Sequence, residues 1–138
     1  MTALQVIDKD VLSHTLASLP DVVSIVGEKI FWEHVDADEE LPYIVLTHIM
    51  GRRDLDNTYS DTTWKVVGVT ASAITAEALA NAISQLDHLD PVTTAYSGLC
   101  AYHYLEEVLP IYDRYQIQNN PILNVGGMYR LRLNLGDN

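Results

Sequence analysis

Cysteine occurs once in these 138 residues, at Cys100, so no internal disulfide can staple the fold. A lone thiol suits a reducing cytoplasm better than a disulfide-built secreted scaffold. Basic residues are also scarce, 8 Lys and Arg against 19 Asp and Glu, for a formal net charge of -11. A chain of that sign repels phosphates, which argues against wrapping nucleic acid or lying on an anionic membrane. Long apolar runs are missing too. The longest, Val66 to Ile74, is interrupted by Gly68, Thr70 and Ser72 and falls far short of the roughly 20 residues that span a bilayer. Met1 to Leu12 carries Asp8, Lys9 and Asp10 where a signal peptide would have a basic start and an apolar run, so none is expected.

The motifs of common chemistries are absent as well. There is no G-x-S-x-G elbow, P-loop or G-x-G-x-x-G, and Gly126-Gly127 lacks the following helix that would make a phosphate cradle, so it reads as a turn. His14, His34, His48, His88 and His103 are scattered, with no pair at the short spacing of zinc ligands. Cys100 and His103 project to opposite faces of one expected strand and cannot act as nucleophile and base; Cys100 reads as a small core residue. Neither enzymatic activity nor a cofactor nor a metal is expected, and the question becomes which partner the chain binds.

What is present is an ordinary globular composition, 48% hydrophobic and 20% charged, of a size that makes residues 1–138 one domain. Asp8 is placed to cap a first helix with Val11, Leu12, Thr15, Leu16 and Leu19 at helical spacing, stopped by Pro20. A helical pattern through Val26 ends at Gly27, and Lys29 to Val35 reads as extended. Tyr43 to Met50 and Thr63 to Ala71 read as an antiparallel pair of strands joined by a long exposed loop, Gly51 to Asn57; Gly68 marks a bulge or a close contact. Thr75 is placed to cap the clearest helix, with a stripe of Ala76, Leu79, Ala80, Ile83 and Leu86. Thr93 to Glu107 reads as one strand with Tyr96, Gly98, Cys100, Tyr102 and Tyr104 on one face. Leu109 to Val125 is partly extended, and Met128 to Leu135 alternates as a half-buried strand. The fold class is α+β, a mostly antiparallel four- to five-stranded sheet with helices packed on one face.

Two charged segments are candidate contact sites. Asp36, Asp38, Glu39 and Glu40 form a concentrated acidic loop that lacks the spacing of a calcium loop, so a solvated loop is favoured over an ion site. Arg52 and Arg53 beside Asp54 and Asp56 either face solvent or make directed salt bridges to another subunit.

The segments Ile25 to Phe31, Leu41 to Leu46 and Trp64 to Ala71 resemble the tail terminator, or tail completion, family of long-tailed bacteriophages. The family's order of parts maps along nearly the whole chain: a Val-Gly-x-x-Ile-Phe segment at Val26 to Phe31, Pro-Tyr-Ile-Val at Pro42 to Val45, a charged loop at Arg52 to Asp61, a strand at Trp64 to Ala71, an Ala/Leu helix at Thr75 to Leu86, and Tyr-Arg-Leu at Tyr129 to Leu131. The departure is Pro110 to Val125. The resemblance implies a non-enzymatic structural protein of the virion, assembled in the host cytoplasm, that forms a homo-hexameric ring. The ring would cap the tail tube protein, end tail polymerisation and offer a surface for joining the head through a head-completion or connector protein. Genomic DNA would pass through the ring without specific binding. Opposite charge suggests that Arg52 and Arg53 meet a neighbour's Asp36 to Glu40. Another head-tail connector or neck protein is the alternative, and a small-molecule-binding domain or enzyme a more distant one.

Overall fold

The structure is a computed structural model and describes residues 3–53, 59–88, 92–96 and 99–135. The chain opens with α1 (Ala3–Ala17) and α2 (Pro20–Val26), followed by β1 (Ile30–Trp32), β2 (Tyr43–Arg53) and β3 (Tyr59–Thr70). Helix α3 (Ala73–Ser84) and a 3-10 turn (Gln85–His88) lead to β4 (Val92–Tyr96), β5 (Leu99–Ile117) and β6 (Asn120–Leu135).

Local chemistry sets several of these bounds. Pro20 opens α2 as well as ending α1, because the first helical turn has no use for its missing N–H. Gly27, at φ 62°, closes α2 and donates its N–H to the Val23 carbonyl at 2.8 Å. Helix α3 is capped by Ser72 rather than Thr75: Ser72 is extended, and its hydroxyl accepts from the Thr75 N–H at 3.3 Å. Asp8 caps nothing. The helix already runs from Ala3, and Asp8 lies inside it, buried, accepting a hydrogen bond from the Thr62 hydroxyl at 3.2 Å.

The sheet order is β1-β2-β3-β6-β5-β4, parallel at β1–β2 and antiparallel elsewhere. Among the described residues it has six strands, because Lys29 to Val35 supplies the short parallel β1 and Thr93 to Glu107 divides into β4 and the start of β5. Gly98 and the side chains of Tyr96, Cys100, Tyr102 and Tyr104 lie outside the described residues, as do Asp54, Asp56 and Asn57. Gly51, Arg52 and Arg53, expected in a loop, continue β2 instead. They pair with Thr62, Asp61 and Ser60 after a bulge between His48 and Met50.

Gly126-Gly127 is not a turn. Both residues lie inside β6, between β3 and β5, and the hairpin reverses instead at Gln118 and Asn119. Both of these have positive φ, 51° and 67°, and close the Ile117–Asn120 pair, as a two-residue hairpin of the primed type requires.

The helices cover one face of the sheet. Leu12 and Leu16 of α1, Val22 and Val26 of α2, and Leu79 and Ile83 of α3 meet Ile44, Leu46, Trp64, Val66, Tyr129 and Leu131 in one core. The residues between these on the strands, such as Val45, Asp61, Lys65 and Arg130, alternate to the other face. Gly68 is the close contact: a Cβ there would meet Leu79 Cδ2 at 2.3 Å, so its absence lets α3 lie against β3.

Candidate assembly surfaces

The acidic segment is a loop, as its composition indicates. Asp36, Asp38 and Glu40 are exposed and Glu39 is half-buried; the Asp36 carboxylate lies 3.6 Å from His34 Nε2. Lys29 anchors the loop by donating to the Glu40 carbonyl at 3.0 Å. The loop returns the chain from β1 to Tyr43, at one end of β2, whereas Arg52 and Arg53 close the other end of that strand. Their side chains lie outside the described residues. From Leu46 to Arg52 is roughly 20 Å at ~3.3 Å per residue, so the two segments do not meet within one subunit.

The Tyr43 hydroxyl reports what surrounds the acidic end. Burial, then Tyr115 of β5, then Glu39 hold its pKa above the ordinary tyrosine value. Phe31 packs edge-on against the same ring, with centroids 5.8 Å apart. The register across the sheet, Tyr43 to Val69 to Asn124 to Asp113, sets the acidic loop and the β5–β6 hairpin at one end of the molecule.

Toward the other end, on the face the helices leave uncovered, Asp61 receives a bidentate contact from Arg130, Nε to Oδ1 at 2.7 Å and Nη2 to Oδ2, with Arg132 Nε at 4.0 Å. Across β6, Glu106 is the register partner of Arg130. The Arg130 hydrogen bond outweighs burial and, with the charges of Arg130 and Arg132, holds Asp61 below its ordinary 3.8. A depressed carboxylate pKa adds stability that is present above 3.8 and lost as pH falls through the lowered value. Because the pair is partly exposed, Asp61→Asn is expected to cost only about 0.5 to 1 kcal/mol near neutral pH. The gap from wild type should close in acid. Urea midpoints near pH 7 and about pH 2 check this, and a gap independent of pH would assign the loss to packing instead.

The sequence did not point to the β5–β6 hairpin. By its composition Leu109 to Val125 reads as partly extended, although β-forming Ile111, Tyr112, Tyr115 and Ile117 followed by Asn119-Asn120 is the available hairpin signal. Tyr112 of this hairpin, with Val125, faces Ala73, Ala76, Glu77 and Ala80 of α3 across an apolar groove of about 310 Å³. The groove carries one carboxylate and no nucleophile, histidine or basic group among those residues, so it offers an apolar seat.

The sheet has two incompletely paired sides. Strand β1 covers β2 at Ile44 to Leu46, where the Glu33 N–H donates to the Leu46 carbonyl at 2.9 Å; beyond that, among the described residues, no strand pairs with the outer edge of β2. Strand β4 covers β5 at Leu99 to His103, and Asp87 accepts the Glu107 N–H at 2.8 Å. A bulge at Val108 and Pro110 interrupt the edge next. From Ile111 to Ile117 no described strand pairs with it.

Among the described residues no group of three or more His, Cys, Asp or Glu side chains is placed to hold a metal ion, and no helix is long and apolar enough to cross a membrane. No protein-family model matches the chain, and comparison with curated proteins finds no match.

Proposed function

We propose that this chain is a non-enzymatic component of a long-tailed bacteriophage virion, a ring that caps the tail tube, ends its polymerisation and presents the surface for head joining. The observation that carries the reading is the pair of strand edges, on opposite sides of one sheet, that no described strand covers. A subunit with two different adhesive sides joins head to tail, and such a contact closes into a ring when the rotation allows. The order of motifs from Val26 to Leu131 supports the same reading by its resemblance to tail terminators. The partners are further copies of the chain, the tail tube protein, and a head-completion or connector protein. Genomic DNA passes through without specific binding, since a net charge of -11 per copy repels phosphates over a Debye length of about 8 Å. The place of action is the tail neck, after assembly in the host cytoplasm.

The test is capping. Added to polymerising tail tube protein, the purified chain is expected to appear in electron micrographs as a hexameric ring at one tube end and to halt lengthening. Tubes that keep growing with the chain in excess would refute the reading. Binding confined to a head connector would replace it with a neck protein.

A further inference from the structure

The sheet's two open edges match each other, and this match rests on the self-assembling part of the reading above. The part of β2 that no described strand covers runs from Thr47 to Arg53 and that of β5 from Ile111 to Ile117, seven residues each. Strand β2 is antiparallel to β3, β3 to β6 and β6 to β5, so β2 and β5 run in opposite directions. A second copy in the same orientation therefore presents its β2 antiparallel to the first copy's β5, the more stable pairing. Large apolar side chains gather at these edges. Of the nine that stay exposed among the described residues, Ile49 and Met50 lie on β2 and Val108, Leu109, Tyr112, Tyr115 and Ile117 on β5.

Within one chain Thr47 is level with Leu109, through Lys65 and Met128. Pairing Thr47 with Ile117 of the next copy lowers the incoming copy by eight residues, roughly 26 Å at ~3.3 Å per residue. That stagger carries the incoming β1 past the Gln118–Asn119 turn, where it meets no strand, and leaves the β5 bulge and Pro110 outside the joint, while the β2 bulge between His48 and Met50 falls within it. Stagger of this kind is also what closing a sheet on itself demands. Charge favours joining as well, since Thr47–Arg53 contains two arginines and no acid in a chain of net charge -11. Pairing β5 with β5 in a twofold dimer would leave every β2 edge open, whereas head-to-tail joining covers both.

We infer that copies of this chain join edge to edge, Thr47–Arg53 of one pairing antiparallel with Ile111–Ile117 of the next, so that one sheet runs continuously from subunit to subunit. The experiment uses two variants of the full chain, Tyr112→Lys/Ile117→Lys on the β5 edge and Ile49→Lys/Met50→Lys on the β2 edge. All four positions are exposed, so thermal melting at low concentration should match wild type and separates loss of joining from misfolding. Native mass spectrometry after dilution from about 0.5 M salt, which screens the acidic copies, reads the association. Wild type is expected to form rings, and each variant alone to associate about 10-fold or more weakly. An equal mixture of the two retains one intact joint and should stop at a dimer. Hydrogen exchange should slow on assembly in both segments. Rings that form equally well from either variant, or without added protection there, overturn the edge joint and leave ring capping standing. A wild type that stops at a dimer or stays monomeric overturns the inference, and the tube-capping assay then decides the functional reading on its own.

Discussion

Gly126→Ala should destabilise the fold by roughly 3 kcal/mol or more, from ~1–3 kcal/mol of backbone strain and a comparable steric cost. Gly126 sits at φ 141°, a conformation that L side chains rarely adopt. A Cβ built there would lie 2.0 Å from the Val66 carbonyl oxygen and 3.1 Å from its carbon. Those are backbone atoms of the neighbouring strand, held in the β3–β6 ladder, so no rotamer change relieves the overlap. The loss should appear as a melting temperature lower by about 10 °C or more and a lower urea midpoint. Gly68→Ala is the control. Its added methyl overlaps side-chain atoms, Leu79 Cδ2 at 2.3 Å and Cγ at 2.6 Å, rather than a strand backbone, and it needs no positive φ, so a steric loss is expected without the backbone strain. A Gly126→Ala protein that melts with wild type would mean that β6 shifts away from β3 at little cost.

Trp64→Ala is expected to cost about 3 to 5 kcal/mol, the usual range for emptying a fully buried large aromatic site. Against the roughly 5–15 kcal/mol of a typical domain, such a loss removes between about a fifth and all of the stability. Trp64 is completely buried at the centre of the single core. The His48 ring meets it edge-on, with centroids 5.2 Å apart. Its indole N–H donates to the Thr62 hydroxyl at 2.9 Å, and that hydroxyl donates in turn to the buried Asp8 carboxylate at 3.2 Å, so the residue ties β3 to α1 through polar contacts. Trp64→Phe separates the two contributions. It keeps most of the ring packing and removes the donor, for an expected loss of about 1 to 3 kcal/mol. Chemical denaturation of both variants measures the split, and equal losses would place the whole effect in the hydrogen-bond chain rather than the volume.

Signals carried by neighbouring residues were legible. Alternation in Tyr43 to Met50 and Met128 to Leu135, the apolar stripe from Ala76 to Leu86, and the break at Gly27 follow from the periods of strand and helix and from backbone freedom at one residue. The acidic loop at Asp36 to Glu40 was legible for the same reason. Less legible was anything that depends on a partner far along the chain. Asp8 reads locally as a cap, because nothing nearby reveals that Thr62 waits across the core. Gly126-Gly127 reads locally as a turn, because only β3 lying alongside makes glycine necessary there. Gly51 to Arg53 reads as a loop until Ser60, Asp61 and Thr62 supply its ladder.

The same division holds for the candidate surfaces. The sequence by itself determined the α+β class through its helix and strand periods, the net charge of -11 and the absence of recognisable catalytic motifs, since these are sums and patterns that need no third dimension. Tertiary structure alone decided that Arg52 and Arg53 stand at the opposite end of β2 from the acidic loop, and that parts of β2 and β5 have no strand beside them among the described residues. Strand order is settled by which distant segments exchange backbone hydrogen bonds. Every residue but proline offers the same backbone donor and acceptor, so the side-chain sequence does not spell out which edges remain unpaired.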